Sequence, residues 1–159
     1  MTPPPIDTPA ADTPIAETVY FDDVAVGDAL PAMVIDVTAT RIVAGAIATR
    51  DFMPVHHDRE YANAQGAPDV FMNILSDTGY CSRFLTDWAG PETMVKKLSI
   101  RLGVPVFPGH TLTYEGTVTD VRVDDGAGLV EVTFRAVGDL GDHVTGTAMV
   151  DLPRREAAP

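Results

Sequence analysis

The chain has 159 residues, enough for one domain with a hydrophobic core and too few for two ordinary domains. Its 23 acidic residues against 11 basic ones give a formal net charge of −12, which argues against nucleic acid or an anionic membrane as a partner. No apolar run approaches the roughly 20 residues that span a bilayer, and the N-terminus lacks the pattern of a secretory signal. Cys81, the single cysteine, cannot form an internal disulfide, so we expect a protein of the reducing cytoplasm.

The composition predicts one folded domain with a mobile segment at each end. Residues 1–18 are rich in proline and poor in bulky apolar side chains, so they cannot bury enough surface to offset the entropy of ordering. We therefore expect a mobile tail at 1–18, one domain at 19–153 and a frayed end at 154–159.

The sequence of the first half of the domain predicts several helices and one short strand. The strand is expected at 32–38, a helix at 40–50 and a helical turn at 58–64, with Asp58 as its N-cap. The longest helix is expected at 73–88. Five residues are predicted to form the stripe that faces the core: Ile74, Thr78, Cys81, Leu85 and Trp88. The opposite face of the helix carries Asp77 and Phe84.

The second half of the domain alternates between apolar and polar residues and predicts antiparallel strands. The runs lie at 97–104, 112–123, 130–136 and 144–152. The alternation changes phase at Asp120, which indicates a bulge or bend in that strand. Pattern alone predicts an α+β domain. His110 and His143 begin strands and are expected at the surface, whereas Cys81 is expected in the core.

A carboxylate and an imidazole stand close together at the end of the helix at 40–50. Asp51 precedes His56 by five residues, and Pro54 between them forces a turn. Such a pair can activate water near neutral pH, because histidine titrates there and the acid orients it. Taken alone, the spacing is also typical of an unrelated surface pair.

The wider pattern Asp51-Phe52-x-Pro54-Val55-His56-x-Asp58 resembles the hydratase signature of the MaoC-like family of (R)-specific enoyl-CoA hydratases and dehydratases. The resemblance implies a hot-dog fold, in which an antiparallel sheet wraps around one long central helix. It also implies that Asp51 and His56 form a catalytic dyad that adds water to an enoyl-CoA. The chain departs from the family at Met53, where asparagine is common.

Further blocks are similar to one branch of this family, the small hydratase subunits of actinobacterial steroid (cholesterol) side-chain degradation. They include residues 55–59, 73–75, 86–91 and 101–105. This resemblance implies a steroid side-chain enoyl-CoA as the substrate. It also implies a homodimer or a heteromer with a second MaoC-like subunit.

Two further groups of residues are expected to serve such a substrate. Free N–H groups near Asn73 and Ile74, at the start of the long helix, are expected to stabilise the thioester oxygen. Basic side chains are the candidates for the CoA phosphates (Arg50, Arg59, Lys97, Arg101). No metal site is expected, and no cofactor is expected besides the acyl-CoA substrate.

Two alternatives belong to other functional classes. A hot-dog acyl-CoA thioesterase would use a carboxylate on the long helix, which here is Asp77. A non-catalytic MaoC-like partner subunit would bind acyl-CoA or a related chain without turnover. The dyad pattern of Asp51 and His56 favours a hydratase over both.

Overall fold

The computed structural model describes residues 17–155, so most of the predicted tail (1–16) and residues 156–159 lie outside the described part. Five strands form one antiparallel sheet: β1 (Met33–Asp36), β2 (Met94–Leu102), β3 (Thr111–Asp124), β4 (Ala127–Gly138) and β5 (Gly141–Leu152). Their order across the sheet is β1-β3-β4-β5-β2, so β1 and β2 form its edges.

Three α-helices lie between β1 and β2 in the sequence: α1 (Ala39–Ala48), α2 (Arg59–Ala64) and α3 (Ile74–Ala89). Asp58 caps α2 as predicted, because its carboxylate accepts a hydrogen bond from the Tyr61 N–H at 3.0 Å. One long helix against an antiparallel sheet confirms the predicted α+β hot-dog class. Within residues 17–155, no helix is both long and apolar enough to cross a membrane.

Aromatic contacts join α3 to the sheet. The Phe84 ring lies 5.8 Å from the Tyr114 ring and 6.3 Å from the Phe134 ring, centroid to centroid. Gly116 makes room for it, because a Cβ at that position would stand 3.0 Å from Phe84 Cε1. The alternate residues of β4, such as Thr133, are exposed on the opposite face of the sheet.

The phase change predicted at Asp120 is confirmed in β3. The pairing of β3 with β4 shifts register between Val118 and Asp120. Val118 is buried, whereas the residues at the far end of β3 are mostly exposed. The irregularity therefore lies where the strand leaves the core.

The enclosed face of α3 differs from the predicted stripe. Cys81 and Leu85 are buried as expected, but Ile74 is 50% exposed, and Asp77 and Phe84 are buried in its place. The face is rotated toward Asp77 because this carboxylate has a buried partner on the sheet. A pattern of apolar residues does not identify a charged residue as part of the core, so Asp77 was predicted on the other face.

That partner is His143, whose predicted surface position is wrong. The side chain is buried, and its Nδ1–H donates to the Val104 carbonyl at 2.6 Å. Its Nε2 lies 2.9 Å from Asp77 Oδ1, which joins β5 to α3 inside the core. A buried ionisable group is tolerated only when it is paired in this way. His110, also predicted at the surface, is half-buried.

Residues at both predicted boundaries contact the domain. Thr18 Oγ1 donates to Glu92 Oε1 at 3.2 Å, and the Val19 N–H donates to the Ala89 carbonyl at 3.0 Å. At the other end, the Arg155 N–H donates to Asp22 Oδ2 at 2.8 Å. Thr18 and Arg155, just outside the predicted domain bounds of 19–153, therefore contact the domain.

Candidate active site

The end of α1 determines where Asp51 lies. The Arg50 N–H bonds to the Ile47 carbonyl at 3.0 Å and the Asp51 N–H to the Ala46 carbonyl at 2.9 Å. These two bonds form a Schellman motif, which reverses the chain direction after the helix. Arg50 occupies the left-handed position with φ 59°, where glycine is usual. Asp51 therefore leaves the helix at a fixed angle.

A 3₁₀ helix at Pro54–His56 brings His56 back toward Asp51. The His56 side chain is mostly buried, with its ring edge-on to the Phe71 ring at 5.0 Å. Its Nδ1 lies 2.7 Å from the Phe71 carbonyl oxygen. A carbonyl can only accept, so Nδ1 carries the proton and Nε2 of the neutral ring keeps its lone pair.

Asp51 and His56, the predicted dyad, face each other, and the distance between them allows one donor molecule to bond to both. His56 Nε2 lies 3.5 Å from Asp51 Oδ2. With Nδ1 protonated, both atoms are acceptors, and neither can donate to the other while the imidazole is neutral. A water molecule can satisfy both by donating one O–H to each atom. The arrangement is suited to binding and deprotonating water.

Hydrogen bonds keep Asp51 ionised. Asn73 Nδ2 donates to Asp51 Oδ2 at 3.0 Å, and the Met53 N–H donates to Asp51 Oδ1 at 3.3 Å. The bond from Asn73 is the main cause that holds the pKa of Asp51 below its ordinary value, followed by the bond from Met53. The carboxylate is therefore an acceptor at neutral pH.

The start of α3 adjoins this pair through the same asparagine. Asn73 is the N-cap of α3, and its Oδ1 accepts from the Ser76 N–H at 3.1 Å. The N–H groups of Ile74 and Leu75, earlier in the first turn, have no acceptor within residues 17–155. They are free donors beside the position where oxyanion donors were predicted (Asn73 and Ile74), and that role stays a prediction.

The basic residues predicted to bind the CoA phosphates are scattered over the structure. Arg50 borders Asp51 and is exposed, whereas Arg59 is engaged by Asp69 through two contacts, Nε–Oδ1 at 2.9 Å and Nη2–Oδ2 at 2.8 Å. Lys97 and Arg101 alternate with half-buried residues of β2 and lie on the sheet face opposite to α3. Arg50 is therefore next to Asp51 along the chain, whereas Lys97 and Arg101 lie on the other face of the sheet.

Large apolar side chains surround the dyad at the surface. Five of them, each about half exposed, belong to the end of α1, the turn after Asp51 and the first turn of α3 (Ile47, Phe52, Met53, Ile74, Leu75). We call this group the apolar rim. Isolated apolar residues are normal on a protein surface, but a cluster around a polar site marks a surface that binds an apolar ligand or a partner.

Sequence reasoning missed three contributors to this site. Thr49 Oγ1 accepts from Asn73 Nδ2 at 2.9 Å, and the Phe71 carbonyl fixes the tautomer of His56. The Asn73 side chain was overlooked in favour of its backbone, although asparagine before a helix is a common N-cap signal. No group of three or more His, Cys, Asp or Glu side chains in the described part of the chain is arranged to hold a metal ion.

Comparisons with known proteins identify the family of the chain. The family model of the MaoC like domain matches residues 24–139. The 3-oxo-4,17-pregnadiene-20-carboxyl-CoA hydratase beta subunit of Mycobacterium tuberculosis is 48% identical over 132 residues, covering 83% of this chain and 98% of that protein.

Two solved structures are also similar. The ChsH1-ChsH2 complex from M. tuberculosis contains a chain with 47% identity and a TM-score of 0.75, covering 80% of this chain and 98% of that one. The (R)-hydratase from A. caviae involved in PHA biosynthesis has 26% identity and a TM-score of 0.74, covering 82% of this chain and 98% of that one. The family model over residues 24–139 and the relative with 48% identity show that the chain belongs to the MaoC-like domain family.

Proposed function

We propose that the chain is an enoyl-CoA hydratase, which adds water across the double bond of an α,β-unsaturated acyl-CoA. The observation that carries the proposal is that two acceptors, His56 Nε2 and Asp51 Oδ2, face each other at 3.5 Å. That space suits a water molecule that donates to both. The hydratases among the relatives support the same reaction class.

In the proposed reaction, the bound water loses one proton to His56 Nε2 while its oxygen attacks C3 of the acyl chain. Asp51 holds the second O–H and stabilises the imidazolium that forms. The electron pair of the double bond moves toward the thioester oxygen, where the Ile74 and Leu75 N–H groups offset the negative charge. The proton then goes to C2. One water is added, nothing is oxidised or reduced, and no cofactor is consumed.

The substrate we propose is a steroid side-chain enoyl-CoA. The M. tuberculosis relative is named for a pregnadiene-carboxyl-CoA and matches this chain over 98% of its own length. The apolar rim around the dyad suits a bulky apolar acyl group. A short acyl chain would leave most of these side chains in water.

The partner we propose is a second MaoC-like chain, either a copy of this one or a related subunit. A similar solved chain belongs to the ChsH1-ChsH2 complex, which supports a heteromer. The apolar rim borders the site, so a partner that covers it would enclose the acyl group between two subunits. Closing the site would also strengthen the hydrogen bonds around the dyad by excluding water.

The structure disfavours a thioesterase that depends on Asp77. Its carboxylate is fully buried and hydrogen-bonded to His143 at 2.9 Å, so it has no access to a thioester. The other alternative, a non-catalytic partner subunit, would have no need for the Asp51–His56 geometry.

One assay separates these functions. The full chain, alone and together with a MaoC-like partner, is mixed with crotonyl-CoA or with a steroid enoyl-CoA. We expect loss of the enoyl absorbance without release of free thiol, with the steroid substrate preferred. His56→Ala should remove the activity, whereas His57→Ala, at the exposed neighbouring position, should not. Release of thiol would instead indicate a thioesterase, and no reaction under any condition would indicate a binding subunit.

A further inference from the structure

The side chain of Asn73 is buried and uses every hydrogen-bonding group it has. Nδ2 donates to Thr49 Oγ1 at 2.9 Å and to Asp51 Oδ2 at 3.0 Å, while Oδ1 accepts from the Ser76 N–H at 3.1 Å. Because Ser76 presents an N–H, the amide atom that faces it must be the oxygen. The two protons of the nitrogen therefore point at Thr49 and Asp51.

Thr49 fixes the far side of this amide. Its hydroxyl donates to the Gly45 carbonyl at 2.8 Å, so its oxygen has a lone pair to accept from Asn73. The end of α1 and the start of α3 are thus joined by one hydrogen-bonded chain from Gly45 through Thr49 and Asn73.

The same carboxylate oxygen serves both Asn73 and the dyad. Oδ2 of Asp51 accepts from Asn73 and lies 3.5 Å from His56 Nε2. Met53 supplies only its backbone N–H, to the other oxygen, since its side chain has no donor. Within residues 17–155, Asn73 is therefore the side-chain donor to the Asp51 carboxylate.

We propose, on the basis of the proposed hydratase function, that Asn73 is a positioning residue for water addition. Through Nδ2 it holds the Asp51 carboxylate beside His56, and through Oδ1 it holds the first turn of α3. One side chain thereby sets the distance between the two parts of the site: the pair that activates water and the N–H groups of Ile74 and Leu75. Asn73 acts through Asp51 and the helix, and it does not itself exchange a proton.

Substitutions can separate the two contacts. Asn73→Ser keeps an N-cap oxygen for the Ser76 N–H but is too short to hold Asp51 as well. Asn73→Asp also keeps the cap, but it turns the donor into an acceptor beside the Asp51 carboxylate, so its effect should be larger. Asn63→Ser is the matched control, because the Asn63 Nδ2 bonds only to the Ala67 and Pro68 carbonyls on the surface.

The experiment measures two quantities on the full chain, with its partner subunit present if turnover requires one. The first is kcat with crotonyl-CoA. The second is an NMR titration of the Asp51 carboxyl carbon, which needs no turnover. We expect Asn73→Ser to lower kcat by about 10- to 100-fold, the usual contribution of a hydrogen bond to a charged group. The Asp51 titration should move to higher pH, because the carboxylate loses a donor, and it should move further in Asn73→Asp.

A purely structural cap would give a different result. If Asn73→Ser left the Asp51 titration where it is in the unaltered protein, as Asn63→Ser should, the proposal would be overturned. A loss of rate accompanied only by a lower melting temperature would overturn it as well. A protein that hydrates no enoyl-CoA would contradict the proposed function. In that case, a shifted Asp51 titration would still support the contact between Asn73 and the carboxylate.

Discussion

The buried pair of Asp77 and His143 should contribute strongly to stability. The two side chains are 0% and 4% exposed, and their contact of 2.9 Å joins α3 to β5. His143→Ala would leave the Asp77 carboxylate buried without its partner, and breaking such a pair costs about 3–5 kcal/mol. A domain of this size has about 5–15 kcal/mol of stability in total, so the melting temperature should fall by about 10 °C or more.

The loss should depend on pH in a defined direction. Burial lowers the pKa of His143, but the hydrogen bond and charge of Asp77 outweigh it, so the pKa of His143 is raised overall. A raised pKa stabilises the fold below the ordinary histidine value, and this stabilisation is lost as pH rises through the folded value. The difference in unfolding free energy between the unaltered protein and His143→Ala should therefore be larger at about pH 6 than at about pH 9.

Chemical denaturation at both pH values measures this difference, with His57→Ala as the exposed control. The control should change the unfolding free energy by about 0.5 kcal/mol or less. Asp77→Asn combined with His143→Ala should be more stable than His143→Ala alone, because no carboxylate remains buried. If His143→Ala costs no more than His57→Ala, or if the double substitution is the less stable, the account of the pair is wrong.

Three further predictions concern the site. Asp51→Asn and His56→Ala should each reduce the hydration rate by about 10²–10⁴-fold with an unchanged circular dichroism spectrum; a fully active variant of either would contradict its role. Arg50→Gly should raise the unfolding free energy by about 1 kcal/mol, measured by thermal melting, because glycine removes the cost of the left-handed φ of 59°. Phe52→Asp in the apolar rim should abolish association with the partner in light scattering, whereas Val123→Asp, at a similarly exposed position elsewhere, should not.

The sequence predicted those parts of the site that depend on neighbours along the chain. Asp51 and His56 are five residues apart, and the Pro54 turn between them is determined locally, so their approach could be expected. The same holds for Asp58, which caps α2 within its own first turn. Local rules such as capping and proline geometry need no knowledge of the fold.

Contacts between distant segments could not be predicted in this way. His143 is 66 residues from Asp77, and its burial follows only from the packing of β5 against α3. Asn73 meets Thr49 across 24 residues, which places its side chain in the site rather than in solvent. The separation of Lys97 from the site could have been expected, because alternation along this part of β2 places it on the face opposite to half-buried Leu98.

The central claim is that Asp51 and His56 add water to an enoyl-CoA, and mass spectrometry of the product tests it most directly. The assembled protein is incubated with crotonyl-CoA in water labelled with oxygen-18. The account predicts an intact CoA thioester that is heavier by one labelled water, formed by the unaltered protein and by His57→Ala but not by His56→Ala. Free CoA thiol with a labelled carboxylic acid, or equal product from His56→Ala, would contradict it.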